Sequence, residues 1–575
     1  MKLIALFLWC MVVTNAFSQD LTTVFERTKG AETVTYQEGM AYYQILDKKF
    51  PQIQLKTMGM TDSGFPLHVA ILSPEGDFNL ESLRKKNKRL VFINNGIHPG
   101  EPDGIDASMM LLRDYATGKI KLPANVVLAV VPFYNIGGTL NRSPYSRINQ
   151  NGPNAYGFRA NARNYDLNRD FIKADSKNAR SFAEIFHWVD PDVQIDNHVS
   201  NGADYQHVMT LVSTQHSKLD GQLGVFFHDE FSPALHQKMK QWGWDLVPYV
   251  NAFGPNPERG FDAFMDGPRY SSGYASLFQT LSFMPETHML KPYTQRVQST
   301  YDIMRAIIEL TSQWSDKIKT LKAQAREEVK QKQEFPLSWV KDTTRLDMVT
   351  FKGYESGYKP SDVSGLPRLY YDRNKPFEKQ ISYYNYFKPS NVIKKPKAYL
   401  IPQGWHNVIE LLKVNGVQMT RFPKDSTIEV EVYRIEDFKS APRPYEGHHP
   451  NSDVKVSVST QKIMFRQGDY YIPMNQIKNR YLIETLEPTG GDSFFSWNFF
   501  DTILQQKEGY SSYVFEDVAA EYLRQHPALK TQLDKKKAED EKFAKSGTAQ
   551  LDFVFKNSPY YEPDHNRYPV YRLVK

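Results

Sequence analysis

The sequence is almost without cysteine: of 575 residues, only position 10 is Cys. Beyond that position the chain has no disulfide, no cysteine nucleophile and no thiolate-ligated metal to offer, so any metal site must be built from His, Asp and Glu. It also lacks an apolar run of about eighteen residues, which excludes a membrane-spanning helix. A dominant charge is missing too. With 71 basic and 65 acidic residues the formal net charge is +6, and no arginine-rich tract interleaves with aromatics, so nucleic acid is not an expected partner. Internal repeats and long low-complexity tracts are absent. Oligomeric state is left open.

The first twenty residues carry the parts of an export signal. Lys2 gives the positive start, residues 3–14 the apolar stretch, and Ala16-Phe17-Ser18 a small-x-small cleavage site before Gln19. The competing reading is a buried N-terminal helix. Cys10 has no lipidation context, so no lipid anchor is expected. The mature protein is read as periplasmic or secreted.

Hydrophobic residues make up 41% of the chain, charged residues 24% and aromatics 13%, a balance suited to a globular protein with large cores. The length requires more than one domain. Residues 19–335 alternate near-continuous apolar runs, such as Leu90 to Asn94, with helical patterns such as residues 105–116. Fully apolar strands between helices predict an α/β domain with a mostly parallel mixed sheet flanked by helices. One long helix is expected over about 297–333, becoming highly charged towards its end. Residues 336–575 change texture to strand runs with one helix at 407–416 and lysine-rich helical patterns at 513–548. They predict a smaller C-terminal accessory domain of mixed β, α+β character.

Four polar groups interrupt the apolar runs of the first domain. His98-Pro99-Gly100-Glu101 follows a strand on a tight turn, where an imidazole and a carboxylate can close on one metal ion. Asp166-Leu167-Asn168-Arg169-Asp170-Phe171 fits neither helical nor strand periodicity. Asp196-Asn197-His198 ends the strand run at 192–196, and Glu286 ends the apolar run at 277–285. Ligands of open α/β sheets collect at the carboxyl ends of strands. His187 and His207 lie in a helical and a strand-like run and are expected in core roles. The aromatic cluster Phe494, Phe495, Trp497, Phe499, Phe500 is expected to be core. Gly447-His448-His449 is read as an exposed loop, while Glu487 and Asp492 are open candidates for reaching the cleft.

HPGE, DLNRDF, DNH and PET, in this order on an α/β domain, resemble the M14-type zinc carboxypeptidase family over roughly residues 85–310. The resemblance implies one zinc ion held by His98, Glu101 and His198, and Glu286 as general base and acid. It implies Asn168 and Arg169 as the pair that binds a substrate's terminal carboxylate, and Asp166 as the carboxylate behind the first histidine. An oxyanion-stabilising arginine is expected upstream of Asp166. Arg147 is the choice by order, with Arg142, Arg159 and Arg163 close enough to compete. A tyrosine covering the substrate is expected before Glu286; Tyr270 is favoured over Tyr274. Arg269 is read as binding an acidic substrate group or as a surface ion pair. Asp170 stands where digestive-type members carry a neutral residue, so side-chain preference stays open. The implied activity is removal of residues from the free C-terminus of a peptide. A zinc deacylase or amidase on N-acyl amino acids or cell-wall peptides is the alternative within hydrolases, and an inactive peptide- or polymer-binding protein the alternative of another class.

Overall fold

A computed structural model describes residues 21–574; the export segment read at residues 1–18 lies outside the described residues. Among the described residues no helix is long and apolar enough to cross a membrane.

The apolar runs become strands: β1 (Ile53–Met60), β2 (Pro66–Leu72), β3 (Arg89–Asn94), β4 (Val126–Val131), β5 (Val193–Asp196), β6 (His198–Ser200), β7 (Met209–Ser213), β8 (Val247–Pro248), β9 (Phe261–Asp262) and β10 (Leu281–His288). All but β9 share one sheet in the order β1-β2-β4-β3-β5-β10-β7-β8, with β6 running on beside β10. Its centre, β4-β3-β5-β10, is parallel, and antiparallel strands complete both edges. The mostly parallel mixed sheet read from the sequence is what forms. Every residue of β3 and β4 is buried, which explains why these strands read as continuous rather than alternating apolar runs. Phe92 of β3 meets Phe182 and Phe186 of the helix Lys177–Val189. That helix is capped by the Ser176 side chain and stopped by Asp190 in the left-handed region. The helices Asp103–Ala116 and Tyr293–Gln313 pack against each other.

The single helix expected over 297–333 is two, Tyr293–Gln313 and Ser315–Gln331. The break at Trp314 lets the indole pack edge-on against Phe226, at 5.5 Å between ring centroids. Periodicity continues through such a break, so the sequence pattern did not reveal it.

The C-terminal half begins with β11 (Glu334–Lys341), β12 (Asp347–Pro360), β13 (Pro367–Tyr384) and β14 (Phe387–Lys394). The long β12–β13 hairpin reaches back over the first half, where β13 pairs with β9 through Tyr383 and Phe261. A six-stranded sheet follows, built from β15 (Ala398–Ile401), β16 (Thr420–Arg421), β17 (Ser426–Ser440), β18 (Asn451–Phe465), β19 (Tyr470–Pro473) and β20 (Tyr571–Leu573). Between β19 and β20 lie the helices of 512–556, with a small core around Phe515, Leu533, Phe543 and Phe555. This half is therefore mixed, as expected, but it is not set apart from the first. One hydrophobic core runs from the strands of the large sheet to Tyr481, Phe494, Phe495 and Trp497. The aromatic cluster is core, as its composition suggested.

Gly104, in the first turn of its helix, shows how tightly the strand ends are packed. A Cβ there would lie 2.4 Å from Asn197 Cβ and 2.5 Å from Asn95 Oδ1. Gly104→Ala is expected to cost about 1–3 kcal/mol through overpacking, read as a lower urea midpoint at unchanged slope.

Candidate metal and catalytic site

The three sequence-predicted ligands meet at the carboxyl ends of the central strands. β3 ends at Asn94, and His98 to Glu101 form a closed turn in which the Glu101 N–H donates to the His98 carbonyl at 2.8 Å. His198 opens β6, directly opposite Glu286 of the parallel neighbour β10. Parallel register puts opposed residues on one face, so the histidine and the glutamate look into the same space. His98 Nδ1 lies 3.3 Å from one Glu101 oxygen and His198 Nδ1 3.2 Å from the other. A tetrahedral ion at the usual ~2.0–2.1 Å ligand distances needs ligand atoms about 3.3 Å apart. The Nδ1 of His98 is moreover a buried nitrogen with no hydrogen-bond partner. The residues fit a metal ion, and among the described residues this is the one group of three such side chains able to hold one.

Each histidine is backed on its far nitrogen. His98 Nε2 faces Asp166 Oδ1 at 2.8 Å, and His198 Nε2 faces Asp196 Oδ2 at 3.0 Å. A carboxylate there fixes the tautomer and turns Nδ1 towards the ion. The position of Asp166 behind His98 was expected from the family pattern. That of Asp196 was not assigned from the sequence, although its place at the end of β5 beside His198 was a usable signal.

Burial opposes charge at every one of these groups, and the neighbours decide the outcome. Despite burial, Arg147 and His98 hold the Glu101 carboxyl well below the usual carboxylate range. Burial disfavours the His198 imidazolium, yet Asp196 and Glu101 raise its pKa well above that of free histidine. Glu286 is pushed up to about 8 by burial, with His198 pulling it down and the Glu101 charge adding to the rise.

Two arginines converge on Glu101. Arg147 donates to it at 2.5 Å and also to the Val199 carbonyl and the Gln150 side chain. Arg159 lies 3.5 Å from the same oxygen, is anchored on Asp166 at 2.8 Å and is the more exposed of the two. Both line the cleft. Arg142 is spent on the backbone carbonyls of Thr33, Val34 and Ala155, and Arg163 on that of Asp175; neither lines the cleft.

Asn168 and Arg169 sit in a short 3-10 turn, Leu167–Arg169, capped by Asp166. The Asn168 side-chain oxygen accepts from the Ser271 N–H at 3.1 Å, which ties this turn to Tyr270. The Tyr270 ring lies 4.5 Å from the Arg169 guanidinium carbon and lines the cleft. Tyr274 instead is buried against His187 and Asn415. His187 and His207 are structural. Burial, with Lys478 beside it, lowers the pKa of the first well below the usual value, and the second bridges the Asp245 carbonyl and the Lys352 N–H. Asp170 faces Lys173 and Ser176, not the cleft. Arg269 pairs with Asp492 at 2.7 Å, and Glu487 is buried beside Tyr399 and Arg572, away from the cleft. In the loop read as exposed, Gly447 and His449 are exposed, while His448 is half-buried and docks on Asp175 at 2.7 Å. The cleft holds about 550 Å³.

A family model described as zinc carboxypeptidase matches residues 40–216. That range holds all three metal-site residues and the Asp166–Arg169 turn; Tyr270 and Glu286 reach the cleft from beyond it. Carboxypeptidase 2 of Trichophyton equinum is 22% identical over 436 residues, 72% of this chain and 74% of that protein. Carboxypeptidase 2 of Trichophyton rubrum is also 22% identical, over 71% and 74%. Among solved structures, a metallo-carboxypeptidase from Burkholderia cenocepacia is 16% identical with a TM-score of 0.36, over 49% of this chain and 70% of that one. Carboxypeptidase A from Helicoverpa armigera is 13% identical with a TM-score of 0.37, over 49% and 74%.

Two outcomes follow for metal binding. Asp196→Asn should weaken zinc affinity about 10–100-fold, measured by competition with a chromophoric chelator. Asp196 and Glu101 favour the protonated imidazole of His198, so zinc competes with that proton. Affinity should fall as pH drops below that raised pKa, and binding should release protons, measured by calorimetry in buffers of different ionisation enthalpy.

Proposed function

We propose that this chain, which carries a zinc carboxypeptidase domain, is an exported enzyme that removes residues from the free C-terminus of peptides. The observation that carries the reading is the pairing of a metal-ligand set with a carboxylate-binding turn in one cleft. His98, Glu101 and His198 stand at one end, and Asn168 and Arg169 beside them. The N-terminal residues 1–18 support export.

His98, Glu101 and His198 would hold one zinc ion; two imidazoles and one carboxylate leave a coordination position open, as in catalytic rather than structural sites. Zinc at such a site supplies Lewis acidity and makes water acidic enough to attack a carbonyl near neutral pH. The rest belongs to the chain. Arg169, with Asn168, holds the terminal carboxylate through a guanidinium fork, and this sets the distance from the chain end to the cut. Tyr270 lies against Arg169 and closes that side. Glu286 takes the proton of the attacking water on its carboxylate oxygen and returns it to the leaving amine. Burial, which raises its pKa, favours holding the proton between the two transfers. Arg147 is already committed to Glu101, Val199 and Gln150; the freer Arg159 stands beside it, so the charge that develops on the carbonyl oxygen has two guanidinium groups within reach. Val212, Phe264 and Met284 also line the cleft and offer apolar contact to a C-terminal side chain.

A deacylase on N-acyl amino acids would also meet a free carboxylate at Arg169, so the length of the substrate trimmed is what separates the two readings. An inactive binder would have no use for Glu286 held directly opposite His198.

Glu286→Gln should retain zinc at full occupancy and lose at least 100-fold in turnover, the lower range for a general base. The assay is mass spectrometry of a mixed peptide library with the metal content of each protein measured in parallel. Stepwise loss of C-terminal residues by the native protein alone is the expected result. Zinc retained without any peptide trimming would overturn the reading in favour of a small-substrate amidase.

A further inference from the structure

The turn that joins β17 and β18 belongs to the C-terminal half, yet four consecutive residues of it rest on the Asp166 loop of the first half. The Tyr445 hydroxyl accepts a hydrogen bond from Arg169 Nε at 3.0 Å. The Glu446 carboxylate accepts from the Asp166 N–H at 2.9 Å. Gly447 lies so close to the Tyr165 ring that a Cβ there would sit 3.0 Å from it. His448 meets Asp175 at 2.7 Å.

The turn is built to be stiff. Tyr445 and His448 exchange backbone hydrogen bonds at 2.7 and 3.1 Å across two residues. Glu446 at φ 49° and Gly447 at φ 79° both occupy the left-handed region, the pattern of a type I′ hairpin turn. Glycine takes that conformation freely; glutamate does so at a cost of order 1 kcal/mol and persists there only where its surroundings hold it. What holds Glu446 is the Asp166 N–H. The Tyr445 ring is fixed as well: it stacks on Trp497 at 6.2 Å and 20°. Arg269, anchored on Asp492 at 2.7 Å, lies 4.8 Å above the same indole.

Arg169 is thereby gripped on three sides. Tyr445 takes Nε, the Asn168 carbonyl takes Nη1 at 2.8 Å, and the Tyr270 ring covers one face. The remaining guanidinium N–H groups, on the free edge of the fork, are left for a ligand. A guanidinium fixed beforehand loses less rotamer freedom when it closes on a carboxylate.

We propose that Tyr445 is a positioning residue of the carboxylate-binding site: its hydroxyl orients Arg169 towards the substrate's terminal carboxylate, so that the C-terminal half completes the recognition site. This rests on the carboxypeptidase reading above. The interaction is present before and throughout the reaction, so it acts on binding and belongs to KM rather than kcat.

The test uses the full-length, zinc-loaded protein made inactive by Glu286→Gln, so that ligands bind without being cut. An N-acyl dipeptide ending in phenylalanine is titrated calorimetrically as free acid and as C-terminal amide, with and without Tyr445→Phe. Phenylalanine keeps the ring on Trp497 and removes only the hydroxyl. The free acid should bind about three- to tenfold more weakly in Tyr445→Phe, the usual worth of one hydrogen bond, while the amide is unaffected. In the Glu286-containing enzyme the same change should raise KM for the acid with kcat held within twofold. An unchanged acid affinity, or equal weakening of acid and amide, would overturn the positioning role. Failure of the Tyr445-containing protein itself to prefer acid over amide would overturn the carboxylate reading and this proposal with it.

Discussion

An ionised carboxylate, Glu101, is kept almost wholly out of water at the junction of three strands, and the arrangement around it follows from that. Moving an isolated carboxylate into a low-dielectric interior costs far more than a folded protein has in reserve, so it survives only if every lone pair is met. Glu101 is 3% exposed. One oxygen receives Arg147 and stands near His98 Nδ1; the other receives the Val199 N–H and stands near His198 Nδ1. These partners come from the turn after β3, from the 140s loop and from β6. The ends of the central strands therefore have to arrive together, in one register, before the acid is tolerated at all. The same demand places Glu286, because β10 carries it opposite His198 and a slip of one residue would turn it to the other face of the sheet. The His98 and His198 nitrogens that stand against the buried acid are the ones whose lone pairs, together with the acid, would face a cation.

Most of this centre was legible in the sequence because it is local. Strand ends announce themselves where an apolar run stops in a polar turn, and HPGE, DNH and PET each sit at such a stop. Asp166, Asn168 and Arg169 stand out because four polar residues in six fit no periodic element. What was not legible depends on elements far apart along the chain. Arg147 and Arg159 both follow the expected order, and only their partners distinguish them: one is bound on three sides, the other leans from Asp166 into the cleft. Tyr270 and Tyr274 are one helical turn apart, and burial alone sends the second into the core with His187. The break at Trp314 is invisible to hydrophobic periodicity, since both helices keep one face apolar.

The largest gap concerns the C-terminal half. Its change of texture at about residue 336 is real, and a separate accessory domain was the natural expectation. Composition reports how much surface a segment can bury, but not against what. Here β13 pairs with β9, Phe278 packs on Tyr481 at 5.8 Å between ring centroids, and Lys478 reaches His187 at 2.9 Å. A buried lysine facing a buried, unprotonated histidine is not a contact that two loosely tethered domains would maintain. Burial pulls that lysine down to about 7 and lowers the histidine well below its usual value, so protonation of both at once is disfavoured.

The two halves accordingly share one hydrophobic core and meet again beside the cleft. The Asp166 loop is irregular backbone held at its base by Asp170 and Lys173, both buried, and at its rim by the Tyr445–His448 turn. Without the rim, Arg169 would retain Tyr270 and the Asn168 carbonyl but lose the hydroxyl that fixes its fork, and Asp166 would lose the acceptor on its N–H while still backing His98. The Arg169 guanidinium and the Asp166 carboxylate behind His98 thus share one support, supplied by residues some 280 positions away in the chain. Changes in the C-terminal half can therefore reach the cleft through two named hydrogen bonds, with no need for motion of the sheet.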